Sequence, residues 1–325
     1  MRNSTATATT GTGSELTYRG RFAPSPTGPL HFGSLVAAVG SYLDARHAGG
    51  EWLLRIEDLD TPREVPGSAD QIIGTLDAFG FEWTGAILRQ SSRRDAYESA
   101  TQHLINAGLA FHCSCTRSEL QAIQTNSPQR MLDNDELRYP GWCRPGPRQP
   151  NRKTAVRLFV TRGETAVLDC IQGHLSVDVS AEVGDFVIRR RDQIHAYQLA
   201  VVIDDDFQGI TAIVRGADLL HSTPRQIILQ QMLTLPTPEY AHLPVATDAN
   251  GIKLSKSAGA AAIDIARPTE ELWRALEFLQ QTPPPELRRA GLATLWDWAI
   301  QHWQVKRLNG QRQAAIRARR EDGLT

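Results

Sequence analysis

Two stretches far apart in the chain carry side chains suited to a polyphosphate. In Arg21-Phe-Ala-Pro-Ser-Pro-Thr-Gly-Pro-Leu-His31-Phe-Gly-Ser34, Pro24 and Pro26 keep the backbone out of the helical region and Gly28-Pro29 bends it back. Leu35, Val36, Val39 and Leu43 then recur at helical spacing, which predicts a helix over Leu30 to Ala45. A strand that turns into a helix leaves backbone N–H groups unpaired at the helix start. With His31, Gly33 and Ser34 beside them, those groups are placed to meet phosphate oxygens. An ordinary proline-rich turn has the same composition. The second stretch, Gly251-Ile-Lys-Leu-Ser-Lys-Ser257, sets Lys253, Ser255, Lys256 and Ser257 on one short loop. Lysine is a mobile point charge suited to leaving phosphates, although a solvated surface loop would look similar. A third group is Cys113-Ser-Cys115 with Cys143. Two thiolates on a tight turn and a third about thirty residues on suit a tetrahedral structural zinc, with His112 and Tyr139 both open as the fourth ligand. Buried thiols without a metal are the alternative.

The elements that must position these residues alternate. Glu51 to Glu57 is an apolar run suited to a buried parallel strand, followed by a predicted helix from Ser68 to Phe79 with Ser68 as N-cap, and another from Arg93 to Ala107. This alternation predicts a doubly wound parallel sheet, which places ligands at strand ends. From Leu109 to Pro150 the chain turns to Cys, Pro, Arg and polar residues, and Lys153–Val160, Ala166–Ile171 and His174–Val179 read as a small antiparallel element within an insertion. Cys170 is expected in an apolar strand, inert. Core-like runs resume at Asp185–Arg190 and Ala196–Ile203, then a strand at Ile210–Arg215 and a helix at Leu219–Leu235. Two amphipathic helices, Thr269–Leu279 and Leu292–Trp303, precede a basic segment, Lys306 to Arg320.

The 325 residues are 41% hydrophobic and 22% charged with a net charge of −1, the composition of a globular protein without a global field for nucleic acid. Contact with RNA must therefore use local patches, with Arg189-Arg190-Arg191, Arg93-Arg94 and the C-terminal basic segment as candidates. No apolar run is long enough to span a membrane. Met1 to Glu15 lack the apolar core of a secretory signal and read as a disordered extension. Few cysteines, three of them clustered, point to a reducing compartment, hence the cytoplasm.

Together, His31-Phe-Gly-Ser34 and Lys253-Leu-Ser-Lys-Ser257 resemble the paired "HIGH" and "KMSKS" signatures of the class I aminoacyl-tRNA synthetases, in order and in separation. Arg21-Phe-Ala-Pro-Ser-Pro-Thr-Gly and Arg55-Ile-Glu-Asp-Leu-Asp60 narrow the likeness to the glutamyl branch, in which a small residue often stands where Ser34 does. The resemblance covers roughly Arg19 to Pro268. It implies an α/β fold: a doubly wound parallel, Rossmann-like nucleotide-binding domain with a small zinc-containing insertion and a helical C-terminal extension. The expected divisions are a disordered 1–17, a first half at 18–108, the insertion at 109–183, a second half with the lysine-serine loop at 184–257, and the helical region at 258–325.

The resemblance implies that ATP is a substrate, held by His31, Gly33, Ser34, Lys253, Ser255 and Lys256, with His31 and Lys256 catalytic. Mg2+ is expected from nucleotide chemistry rather than from a visible ligand set. Glutamate has two carboxylates and one ammonium, so its pocket needs cations and an acid. Arg21 and Arg215 can clamp carboxylates, Glu57 can take the ammonium, and Tyr197 offers a hydroxyl. The likeness carries over Arg21, Phe22, Ala23, Pro24, Ser25, Glu57, Tyr197 and Arg215 as glutamate contacts. It also favours Tyr139 as the fourth zinc ligand, beside Cys113, Cys115 and Cys143. Fewer than about seventy residues follow Ser257, less than the helical anticodon-reading region of a full glutamyl enzyme. That architecture looks like the short enzymes that activate glutamate without tRNA and transfer it to queuosine in the anticodon of tRNA(Asp), here expected to act as a monomer. A truncated enzyme charging a tRNA 3′ end and an inactive tRNA-binding paralogue are the alternatives.

Overall fold

A computed structural model describes residues 17–124, 137–248, 251–253 and 262–316. The extension read at Met1–Glu15, the end of the basic C-terminal segment, and Ser255, Lys256 and Ser257 lie outside the described residues. The chain opens with β1 (Arg19–Phe22), α1 (Phe32–His47), β2 (Glu51–Ile56), α2 (Ser68–Ala78), β3 (Leu88–Arg89) and α3 (Arg94–Asn106). β1, β2 and β3 form a parallel sheet in that order. Next come β4 (Ala110–Cys113), α4 (Arg117–Gln124), β5 (Ala155–Leu158), β6 (Thr165–Asp169), β7 (Gly173–Val177), α5 (Val179–Glu182) and β8 (Val187–Arg189). They lead into α6 (Tyr197–Phe207), β9 (Ala212–Gly216), α7 (Thr223–Met232), β10 (Glu239–Leu243) and β11 (Val245–Thr247). The last elements are α8 (Pro268–Phe278), α9 (Leu292–His302) and β12 (Gln313–Ala315).

β9 and β10 pair in parallel, and β10 pairs in parallel with β6. The two parallel sheets meet where Thr211 donates its backbone N–H to the carbonyl of Arg19 at 2.9 Å. β1 therefore stands between β2 and β9, and the chain's direction of winding reverses there, which is where a doubly wound fold opens a crevice at its strand ends. α1 crosses above it with Leu35, Val36, Val39 and Leu43 buried as the spacing requires. The aromatic core beneath joins Trp52, Tyr42, Phe81 and Trp296, so α9 is fastened to α1 and β2.

Strand pairing crosses the divisions expected from composition. β8, placed by sequence in the second half, pairs with β5 in the antiparallel sheet β4-β5-β8. The β6–β7 hairpin, placed in the insertion, sits at the edge of the main sheet through β6 and β10. The run at Ala196–Ile203 is a helix, α6, whose residues Gln198 to Val202, Asp204 and Asp205 are all buried, so no polar face marked its period. Ser68 does not cap α2: Gly67 does, with no side-chain bond, while the Ser68 hydroxyl donates to Gly28 O at 2.8 Å and accepts from Gly28 N at 2.9 Å. Cys170 follows β6 and is exposed rather than buried in a strand.

Candidate active site

The crevice is a cavity of about 780 Å³ whose lining includes His31, Gly33, Ser34 and Lys253 together with Arg21, Glu57, Tyr197 and Arg215. Phe22, Ala23, Pro24 and Ser25 line it as well. Every sequence-read nucleotide or glutamate residue among those described therefore lines one space. The segment after β1 is held open by backbone bonds: Glu57 N donates to Pro24 O at 3.0 Å and Val65 N to Pro26 O at 3.0 Å. Gly28, at φ 126°, makes the bend that a side chain would resist.

His31 caps α1, with Nδ1 accepting from Ser34 N at 3.2 Å. A neutral ring held in this way carries its proton on Nε2. A Cβ on Gly33 would sit 3.1 Å from the His31 ring, so any side chain here would press on the imidazole. Lys253 reaches across the mouth of the cavity to Asp218, Nζ to Oδ2 2.8 Å.

Around Arg21 and Glu57 the cavity is built from buried charge. Arg21 presents Nε and Nη2 to the Asp205 carboxylate at 3.1 and 3.5 Å, and Arg55 adds a bond to the same Oδ1 at 2.7 Å. The bidentate edge that the sequence reading gave to a ligand carboxylate is thus taken by Asp205, and Arg21 keeps Nη1. Arg55, wholly buried, also reaches Glu57 Oε1 at 3.4 Å. Burial pushes the Glu57 pKa up against the opposing pull of Arg55 and Arg21. Burial acts in the same way on Asp205, but there Arg21 and Arg55 outweigh it and hold the carboxyl below its ordinary range.

Arg215 differs. Its side-chain partners are all uncharged or formally neutral: Nε donates to His242 Nε2 at 3.0 Å, Nη1 to Tyr197 Oη at 3.3 Å, and Nη2 to Thr223 Oγ1 and Gln226 Oε1 at 2.8 Å each. It is 5% exposed. A buried guanidinium without a carboxylate in contact favours an anionic ligand. Asp205, Asp218 and His242 were not singled out in the sequence; their partners lie dozens of residues away, and a lone Asp or His has no local pattern.

The Sγ atoms of Cys113, Cys115 and Cys143 lie within 4.8 Å of one another. The Tyr139 hydroxyl is 3.4 Å from Cys113 Sγ and 4.0 Å from Cys115 Sγ, and accepts from Cys143 N at 2.8 Å. His112 turns instead to Thr154 at 3.0 Å. Burial raises the Cys143 thiol, yet hydrogen bonds from the Arg148 and Ser114 backbones outweigh it and bring the pKa down to about 6. Arg157 donates to Cys113 Sγ at 3.4 Å and lies over the Tyr139 ring at 4.0 Å, a cation placed to offset gathered thiolates. The donor set fits a tetrahedral cation.

Four of the arginines read as RNA contacts, Arg93, Arg189, Arg190 and Arg191, are engaged within the protein. Arg93 pairs with Asp204 at 2.6 Å and covers the Phe207 ring, Arg189 pairs with Glu98 at 2.5 Å, and Arg190 bonds Asp60 and Asp192. Arg191 donates to Lys153 O at 3.0 Å. Among the described residues no helix is long and apolar enough to cross a membrane.

The family described as tRNA synthetases class I (E and Q), catalytic domain, matches residues 17–280. The chain is 56% identical to a glutamyl-Q tRNA(Asp) synthetase of Dechloromonas aromatica over 88% of its own length and 94% of the relative's. It is 48% identical to one of Pseudomonas aeruginosa over 90% and 95%. The crystal structure of a glutamate-tRNA synthetase from Elizabethkingia anophelis superposes with a TM-score of 0.77 at 25% identity, covering 93% of this chain and 68% of that one. A glutamate tRNA ligase from Elizabethkingia meningosepticum, in complex with its amino acid, gives 0.75 at 26% identity.

Proposed function

From a chain that belongs to the class I tRNA synthetases of the E and Q type, and is thus a ligase, we propose activation of glutamate by ATP without tRNA, followed by transfer of the glutamyl group to queuosine in the anticodon of tRNA(Asp). One observation carries the reading: phosphate-suited and carboxylate-suited side chains line a single cavity. The glutamyl-Q tRNA(Asp) synthetases match over nearly all of both chains, whereas the two glutamate-tRNA synthetase structures are covered over about two thirds, which favours the queuosine reading.

In the adenylation step an α-carboxylate oxygen of glutamate attacks the α-phosphorus of ATP, and the bond to the bridging oxygen of pyrophosphate breaks. The site's contribution is positioning and charge stabilisation. His31 Nε2–H and the amides at the start of α1 face phosphate oxygens. Lys256 meets the leaving pyrophosphate, supported by Lys253, Ser255 and Ser34. Arg215 with Tyr197, and the remaining Nη1 of Arg21, take carboxylate oxygens; Glu57 takes the ammonium. Phe22, Ala23, Pro24 and Ser25 shape the wall. Mg2+ would neutralise phosphate charge when bound. Cys113, Cys115, Cys143 and Tyr139 would hold one structural Zn2+, a cross-link within the insertion remote in role from the chemistry. Its thiols suit a reducing, cytoplasmic setting.

The test is pyrophosphate exchange with glutamate and ATP in the absence of tRNA, followed by incubation of labelled glutamate with tRNA fractions that contain or lack queuosine. Exchange without tRNA, with label on the queuosine base of tRNA(Asp), is the expected result. Label on a 3′ end, with exchange that requires tRNA, would establish the charging enzyme instead, and absence of any exchange would leave a binding paralogue.

A further inference from the structure

Asp169, His242 and Arg215 stand on three neighbouring parallel strands, β6, β10 and β9. His242 and Arg215 are register partners in the β9–β10 pair, and Asp169 is paired with Tyr240, two residues before His242. The register alone aligns an acid, an imidazole and a guanidinium across the sheet toward the cavity. All three are buried, at 6%, 0% and 5% exposure. Asp169 is immobilised by backbone donors: Ile171 N at 3.0 Å, Gln172 N at 2.8 Å and His242 N at 3.2 Å all meet Oδ1. Its Oδ2 receives His242 Nδ1–H at 2.5 Å. That fixes the tautomer, and the lone pair on Nε2 faces the Arg215 Nε–H at 3.0 Å and the Thr223 hydroxyl at 3.2 Å.

Donor counting gives the arrangement its purpose. Arg215 commits Nε, both hydrogens of Nη2 and one of Nη1 to the protein, so one N–H remains on Nη1. Tyr197 accepts from that same Nη1, so its own O–H is left to donate into the cavity. A carboxylate meets the two as adjacent donors. We propose that Asp169 and His242 are positioning residues for recognition of the substrate carboxylate: they hold the Arg215 guanidinium in the one rotation that presents this pair, and they do so with an uncharged acceptor in contact. A carboxylate in the place of His242 would neutralise Arg215 directly, as Asp205 does Arg21, and would weaken its pull on a ligand. The inference rests on the reading of the cavity as a glutamate site.

The experiment is pyrophosphate exchange with varied glutamate and varied ATP for the full chain and for His242→Leu, His242→Gln and Asp169→Asn. His242→Leu should raise the KM for glutamate by about tenfold, the loss of one hydrogen bond to a charged group, with the KM for ATP within about twofold of the parent. His242→Gln, which keeps an acceptor near the Nε2 position, should recover part of that loss. Asp169→Asn should fall between them. Nitrogen chemical shifts of the His242 ring in the parent should report a neutral Nδ1–H tautomer, whatever the activity. Unchanged glutamate KM in His242→Leu, a fall in kcat alone with both KM values unchanged, or an Nε2–H tautomer would each overturn the proposal. A parent that exchanges no label with glutamate would instead remove the functional reading, and the ring tautomer would then decide whether the relay stands.

Discussion

His242 is buried against a guanidinium, and its pKa is brought down to about 4, first by burial and then by Arg215, with Asp169 and Asp218 acting the other way. Between its ordinary value of about 6.5 and about 4, the unfolded chain takes up a proton that the folded chain refuses. Stability therefore declines as pH falls through that window and is indifferent to this group above it. His195, also lowered by burial, adds in the same direction. Urea midpoints measured from pH 7 to pH 5 should fall, and His242→Gln should flatten part of the slope; superimposable slopes would exclude His242 as a contributor. The cysteine cluster makes a second prediction of this kind. Purified protein should contain about one equivalent of zinc, and Cys143→Ser should lose it together with thermal stability; full metal content in that variant would remove Cys143 from the ligand set. His31 with Gly33 and Ser34, and Arg21 with Ala23 and Ser25, were legible as chain neighbours, and each group lines the same cavity. Asp205 reaches from α6 to Arg21 and Arg55, and Asp169 and His242 act across strands, so their partners become neighbours only when the fold forms.

β1, the bend at Gly28 and the start of α2 behave as one unit, because the Ser68 hydroxyl both donates to and accepts from the Gly28 backbone. Helix-start statistics favour serine as a cap, and that preference misplaced Ser68, whose hydroxyl is needed forty residues back. Ser68→Ala should cost about 1 kcal/mol in denaturant unfolding and raise the KM for ATP, since the bend sets where α1 begins; an unchanged KM would separate the bend from nucleotide binding. The helices α2, α8 and α9 were legible because each buries one stripe, and α1, buried around most of its surface, because its large apolar residues still recur at helical spacing. α6 was not, since Gln198 to Val202, Asp204 and Asp205 are all buried and only Asp206 and Phe207 at its end are exposed, and a helix without a solvated stripe loses its period. Hairpin β6–β7 reads locally as a small antiparallel piece, and nothing in its own residues discloses that β10 will join its edge.

α8 and α9 close the back of the nucleotide-binding sheet. Trp296 stacks edge-on against Tyr42 and Phe81 and donates Nε1–H to Phe79 O at 2.9 Å, while Trp303 donates to Asp44 at 2.8 Å on α1. Trp296→Ala should destabilise the whole by about 3–5 kcal/mol, read as a single shifted unfolding transition; two separated transitions would mean that the C-terminal helices fold as an independent body. Net charge told little about an RNA partner, and three of the arginines that looked available, Arg93, Arg189 and Arg190, are tied to Asp204, Glu98 and Asp60. Beyond α9, β12 returns to pair with β11, with Val245 N donating to Arg312 O and Ile316 N to Thr247 O, both at 2.9 Å. Val245 and Ala246 of β11 also border the cavity, and Lys253 follows a few residues on. Shortening the protein at its carboxyl end by a dozen or so residues would therefore not trim a bystander: it would unzip the ribbon that leads into the lysine loop, and a preparation shortened there should handle ATP poorly while still binding glutamate.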